Sequence, residues 1–412
     1  MDIYDIFLFM SVGAGFLMAF NLGANDVANS MASAVGARAI TVRQAVLIAS
    51  VLNFVGAVFL GSHVTATISK GIINAAAITD PKLVMIGMFA ALLAAAIWVL
   101  VATLTSLPVS STHSIVGAIT GFGLVAGGPE VVNWLKMGGI VMSWIISPFF
   151  AAGIAFFIFT HIRRHILFKR DFLRQAKRWA PIWVALTLLV LCVSFLSKTP
   201  LGQSLGLGWT ATLGLAGLFA LGSWLLGRLV VRRIVIDPEE GAEGVERLFR
   251  KMQIGTSCYV ALSQGANDVA NAIGPVAAIY LIARQHQLLA TAEVPMSMLI
   301  LGGLGIAVGI SLLGYKVMAT VGSRITTLTN TRGFAVDIGA ATTVLLASNM
   351  GLPVSTTHAA VGGVVGVGLA RGFGAVDFRV LLRIVAYWVA TVPVAALTSI
   401  VFFVLLKWLC YS

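Results

Sequence analysis

Charge is scarce in this sequence. Only 10% of its 412 residues are Asp, Glu, Lys or Arg, against 59% hydrophobic and a mean hydropathy of +0.98, which excludes an ordinary soluble domain and places the chain in the membrane class. Cysteine is rarer still. Cys192, Cys258 and Cys410 lie scattered without CxxC or metal-ligand spacing, so neither a disulfide framework nor a thiolate metal site is expected and they read as packing residues. No positive residue precedes Arg38. The amino terminus therefore lacks the cationic start of a cleavable signal peptide and reads as a first span with its terminus outside. No aromatic-interleaved basic motif appears despite the formal net charge of +12, so no nucleic-acid partner is expected. Instead Arg163, Arg164, Lys169, Arg170, Arg174, Lys177 and Arg178 fall in one connection, and Arg228, Arg232, Arg233, Arg247, Arg250 and Lys251 in another two crossings later. Both loops share a side, as cytoplasmic loops do under positive-inside topology.

What is abundant is long apolar sequence. Leu83–Leu104, Gly138–Thr160, Trp209–Val230 and Val380–Leu406 each approach or exceed the roughly 20 residues that cross the hydrocarbon core. Twelve spans are read, near residues 4–36, 44–68, 83–104, 114–128, 138–160, 182–197, 209–230, 252–283, 296–315, 334–347, 359–370 and 380–406. The two short ones, 114–128 and 359–370, either cross or dip in and return. The 43 glycines fit close helix packing and helices that break at a cavity. Asp237 to Lys251, rich in both signs, reads as a solvated cytoplasmic linker.

The sequence repeats itself. GANDVAN occupies Gly23–Asn29 and again Gly265–Asn271, an offset of 242 residues (265 less 23). PVSSTH at Pro108–His113 is answered by PVSTTH at Pro353–His358, an offset of 245 (353 less 108). Gly117, Gly121 and Gly123 shifted by 245 fall on Gly362, Gly366 and Gly368. Seven spans precede the second copy, an odd number, so it enters the membrane from the opposite side. The expected fold is thus an all-α polytopic membrane protein with two inverted repeats, residues 1–160 and 251–412, joined by basic loops and two helices in 161–250, with a midplane site between the halves.

Of 15 acidic residues, only Asp26, Asp268 and Asp337 fall at membrane depth, where a carboxylate marks an ion or substrate pathway unless a neighbouring helix satisfies it. If the helix continues past Gly23, Asn25, Asp26 and Asn29 share one sector. Such oxygens suit hard cations, and no Lys or Arg sits in either motif to balance the Asp. The hydroxyl triplets Ser110-Ser111-Thr112 and Ser355-Thr356-Thr357 follow a Pro and precede a Gly-rich helix. Taken singly they are helix caps. Two such ends from opposite halves, facing one cavity, make an anion site from hydroxyls, free N–H groups and helix dipoles. Asp337 has no counterpart, since 337 less 245 gives Leu92; it serves another coupling ion or pairs with Arg324 or Arg332. His113 and His358 invite a hydrolase or metal reading, but a triad needs one ordered nucleophile and base, and here whole motifs are duplicated. No enzyme and no cofactor are expected. Asn53 and His63 read as helix–helix hydrogen bonders.

These paired motifs, with the stretches Gly61–Lys70, Arg332–Ser348 and Gly351–His358, resemble the PiT-type inorganic phosphate transporter family over almost the whole chain. The resemblance implies a phosphate symporter with twelve spans, both ends outside, and a homodimer. It places coupling cations, Na⁺ or H⁺, on Asp26, Asn25, Asn29, Asp268, Asn267 and Asn271, and phosphate on Ser110, Ser111, Thr112, Ser355, Thr356 and Thr357. Asn25 and Asn267, beside the hydroxyls, are counted with the phosphate set, and Asp337 with the cation set. Asn53 and Asp337 stand where many relatives carry Glu, which leaves the stoichiometry of coupling open. The short central loop favours a bacterial inner-membrane protein. Sulfate permease is the alternative within the family; a membrane hydrolase or channel is the alternative outside it.

Overall fold

Polar side chains mark where the apolar runs become helices. Asp2 accepts from the Ile3 N–H at 2.6 Å to start α1 (Ile3–Gly36), Thr41 and Gln44 form a capping box on α2 (Val42–Leu60), and Asp80 with Pro81 starts α3 (Pro81–Leu104). Ser110 caps α4 (Ser111–Gly127) and Asn133 caps α5 (Trp134–Ile162). These oxygens satisfy N–H groups that the helix itself leaves without a partner. There follow α6 (Phe172–Lys198), α7 (Trp209–Arg233), α8 (Ala242–Gln285), α9 (Met296–Leu313), α10 (Tyr315–Ser323), α11 (Asn330–Asn349), α12 (Thr356–Arg371) and α13 (Phe378–Tyr411). Gly128 and Gly372, at φ +80° and +125°, close α4 and α12 in conformations that suit glycine.

The computed structural model describes residues 2–61, 71–74, 78, 80–198, 202, 205–233, 241–285, 294–323, 325–350 and 354–411. His63, Arg324, Pro353 and most of the Gly61–Lys70 stretch lie outside them. Among the described residues nine helices are long and apolar enough to cross a membrane: α1, α2, α3, α5, α6, α7, α8, α9 and α13. The two short segments are α4 and α12, of 17 and 16 residues, which begin in the interior at buried Ser110 and Ser355. In contrast, α1 and α8 run unbroken through their GANDVAN motifs.

One expectation is corrected. From Ala242 onward the mixed-charge stretch is helix, not a solvated linker, because Val245, Leu248 and Phe249 are spaced to bury one face. Two of its charges meet partners: Glu246 accepts from Thr331 Oγ1 at 2.7 Å and Arg250 Nε donates to Ala39 O at 2.7 Å, while Glu243 and Lys251 are exposed on the opposite face.

Helix pairings recur with the halves exchanged. α1 lies on α9 and α8 on α2; α5 lies on α12 and α13 on α4; α1 meets α3 as α8 meets α11. α6 and α7 pack chiefly on each other. The first glycine of each GANDVAN is where backbones touch. A Cβ at Gly23 would overlap the carbonyl of Ile306, and one at Gly265 the carbonyl of Asn53, so only glycine permits the approach. Basic side chains gather at one end, where Arg163 donates to Ala370 O at 2.5 Å and Arg371 to Thr326 Oγ1 at 3.4 Å. At the other end of α13 the Tyr411 hydroxyl donates to Asp80, and Lys82 Nζ donates to Cys410 O at 3.2 Å.

Candidate functional site

Every residue singled out in the two motif pairs is buried, between 1% and 8% exposed, so none of them faces lipid. α1, α4, α8 and α12 carry them to one place, and each half completes the other. Asn29 Nδ2 donates to Thr356 Oγ1 and Thr357 Oγ1, both at 3.0 Å. Across the centre, Asn271 Nδ2 donates to Thr112 Oγ1 at 3.3 Å and to Ser111 Oγ at 3.5 Å. The loops before α4 and α12 cross likewise, Thr357 Oγ1 donating to Val109 O at 3.1 Å and Thr112 Oγ1 to Val354 O at 3.5 Å. The two helix starts therefore meet head to head, each already capped by its own Ser110 or Ser355.

The carboxylates stand beside these starts. Asp26 Oδ2 accepts from Ser111 Oγ at 2.5 Å, and Asp268 Oδ1 accepts from Asn267 Nδ2 at 3.2 Å. Asn25 Nδ2 is held by Thr103 Oγ1 at 3.2 Å and Leu107 O at 3.0 Å. That fixes its other end: the oxygens Asn25 Oδ1, Asp26 Oδ1, Gln264 Oε1 and Asn267 Oδ1 are buried and have no hydrogen-bond partner within the protein. Buried acceptors without donors are strongly disfavoured, and oxygens of amide and carboxylate type are the kind a hard cation takes. Hydroxyls and helix N-termini beside them suit an oxyanion. The two motif pairs thus carry groups suited to either sign of charge.

Gln264 was not legible as a site residue. Its Nε2 donates to Asp26 O at 2.5 Å, and position 22, its counterpart at the 242-residue offset, is Leu22, so the repeat gave no hint. The available signal was a lone amide one helical turn before Asp268 on the same face. Asp337 sits apart from the core among hydroxyls, accepting from Ser33 at 2.5 Å, Ser257 at 2.6 Å and Thr256 at 3.0 Å. Arg332 instead donates to Thr327 O at 2.9 Å and lies over Phe159. Asn53 Nδ2 donates to Ala49 O on its own helix at 2.9 Å. Among the described residues no three His, Cys, Asp or Glu side chains gather as metal ligands.

Sequence and structure comparisons agree with this chemistry. The model of the phosphate transporter family matches residues 22–399. A candidate phosphate permease of Pyrococcus abyssi is 51% identical over 98% of each chain, and the chloroplastic inorganic phosphate transporter 2-1 of Arabidopsis thaliana is 38% identical over 94% of this chain and 70% of its own length. A solved structure titled the sodium-dependent phosphate transporter superposes with a TM-score of 0.91 at 46% identity, covering 98% of this chain and 99% of that one. These relatives are transporters and not enzymes. With the family model over residues 22–399 and a relative 51% identical over 98% of each chain, this all-helical membrane protein belongs to the phosphate transporter family.

Proposed function

We propose that the chain is a symporter that carries inorganic phosphate with a coupling cation, Na⁺ rather than H⁺, by alternating access across a bacterial inner membrane. The single observation behind this reading is the crossed pair of Asn–hydroxyl contacts with four unpaired oxygens beside them. In low dielectric a bare oxyanion or cation is strongly disfavoured, and each relieves the other's desolvation, so binding of the two is linked. The sodium dependence of the structural relative favours Na⁺. Ser110, Ser111, Thr112, Ser355, Thr356 and Thr357 hold phosphate, with Asn25 and Asn267 at the border of the two ions, beside phosphate and with their free oxygens available to the cation. Asp26, Asn29, Asp268 and Asn271 hold Na⁺, and Asp337 takes part in coupling. Residues 1–160 and 251–412 form inverted repeats joined by 161–250, with both termini outside and two copies in a homodimer; the exchanged helix pairings support the repeat.

The test is labelled phosphate uptake into proteoliposomes under an imposed Na⁺ or pH gradient, with sulfate as competitor. The proposal expects saturable, Na⁺-driven uptake that excess sulfate leaves intact. Uptake driven by the pH gradient alone makes the coupling ion H⁺. Displacement by sulfate makes that anion the substrate, and a rate that never saturates makes the protein a channel.

A further inference from the structure

The two hydroxyl-bearing helices lie on glycine-lined seams. On α4, His113, Gly117 and Gly121 are four residues apart and face successive backbone carbonyls of α13, those of Trp388, Val392 and Ala396. A Cβ at Gly117 would stand 2.7 Å from Val392 O, and one at Gly121 2.5 Å from Ala396 O. The other half repeats the ladder, with His358, Gly362 and Gly366 of α12 facing the carbonyls of Trp144, Pro148 and Ala152 on α5. Two rungs in three carry no side chain, so the backbones touch there and no side-chain hydrogen bond on those rungs fixes the register. The remaining rung makes a directed bond: His113 Nδ1 lies 3.2 Å from Trp388 O, and His358 Nδ1 lies 2.9 Å from Trp144 O. A carbonyl only accepts, so Nδ1 carries the ring hydrogen in both.

The rings then join the two seams. His113 lies over the Trp144 ring and His358 over the Trp388 ring, each with centroids 3.8 Å apart, and the two imidazoles are 4.5 Å apart. Each Trp therefore accepts from one His through its backbone and packs on the other through its side chain. Trp388 Nε1 also donates to Pro108 O at 3.3 Å, at the head of the first hydroxyl motif. The backbone N–H groups of His113 and His358 donate to Ser110 Oγ and Ser355 Oγ, both at 3.2 Å, so the residue on the seam also holds the capping hydroxyl.

We propose that His113 and His358 are positioning residues that pin the axial register of α4 and α12 on their glycine–carbonyl seams and, through the crossed Trp pairs, couple the two registers. Slipping by one rung of four residues moves a hydroxyl triplet by about 6 Å, twice the length of a hydrogen bond, and takes it out of reach of phosphate. This inference rests on the reading that the triplets hold phosphate.

The experiment measures Kd for labelled inorganic phosphate by equilibrium dialysis of the purified full-length protein in saturating Na⁺, together with Tm. His113→Phe and His358→Phe keep a ring and remove Nδ1. His113→Asn and His358→Asn set an amide N–H near the place of Nδ1. Each Phe variant is expected to weaken phosphate binding on the order of tenfold, as for one lost buried hydrogen bond, and the Asn variants to stay within about threefold of wild type. The double Phe variant is expected to fall short of the product of the singles, because releasing one seam releases the other. If the Phe variants do not fold, Asn is compared with Gln, whose amide stands near the place of Nε2; retained affinity in Asn with loss in Gln supports the pin, and equal affinity overturns it. A lowered Tm with unchanged Kd in the Phe variants, or equal impairment of Phe and Asn, also overturns it. Ser111→Ala combined with Thr357→Val is the reference. Weakened binding there beside normal binding in both Phe variants refutes the pin alone, whereas undiminished binding there refutes the phosphate assignment and the pin with it.

Discussion

Replacing Asp26 by Asn removes a charge and almost nothing else. Asp26 is 1% exposed, its Oδ2 accepts from Ser111 Oγ at 2.5 Å, and its Oδ1 has no partner within the protein. The amide keeps the volume and keeps one acceptor oxygen for Ser111, so the contact between Asp26 on α1 and Ser111 on α4 persists. What changes is the attraction for a cation. At about 4 Å and an effective dielectric of ~20, that attraction is roughly 4 kcal/mol, on the order of a thousandfold in affinity. The assay is Na⁺-driven phosphate uptake into proteoliposomes across a Na⁺ titration, with Tm measured on the same preparations. The predicted result is uptake at background throughout the range that saturates the wild type, with Tm shifted by no more than a few degrees, the effect of roughly 1 kcal/mol. Asp268→Asn is predicted to behave the same way. Wild-type Na⁺ dependence in both variants would refute the cation assignment.

The remaining predictions concern packing and the hydroxyl-bound carboxylate of Asp337. Gly265→Val drives a side chain into the Asn53 carbonyl and is expected to lower Tm by the equivalent of about 1–3 kcal/mol or more; Gly255→Ala on the same helix, with nothing within 4 Å of its Cβ, is expected to leave Tm level or raise it. A Gly265 variant as stable as wild type would contradict the close approach of α8 and α2. Asp337→Asn leaves at least one of three donating hydroxyls, those of Ser33, Thr256 and Ser257, without its acceptor, at about 1–3 kcal/mol. If Asp337 takes part in coupling, the Na⁺ dependence of uptake also becomes less steep, and an unchanged steepness removes it from the coupling set.

Much of the site was legible because its chemistry sits in duplicated words. Asn25, Asp26 and Asn29 with their copies, and the two hydroxyl triplets, combine polar residues at membrane depth with identical contexts, and the structure brings all of them together. The exchange between halves was not legible. That Asn29 meets Thr356 and Thr357 while Asn271 meets Ser111 and Thr112 depends on how α1 and α12 pack, which no local pattern encodes. Gln264 escaped because its repeat position is Leu22. The charges of Glu243, Glu246 and Arg247 mask the helical spacing of Val245, Leu248 and Phe249, which packing enforces in the folded chain. The role of Gly23 and Gly265 as points of backbone contact emerged only in three dimensions, since glycine in a sequence marks a turn as readily as a close approach.

At the centre of this account stands mutual dependence: buried oxygens and helix starts accept the anion only in company with a cation. The direct measurement is the Kd of purified wild-type protein for labelled phosphate as a function of Na⁺ concentration at constant ionic strength, with K⁺ or choline as the replacing ion. The account predicts that phosphate affinity climbs with Na⁺ and is lost in its absence. Equal phosphate affinity with and without Na⁺ would contradict it.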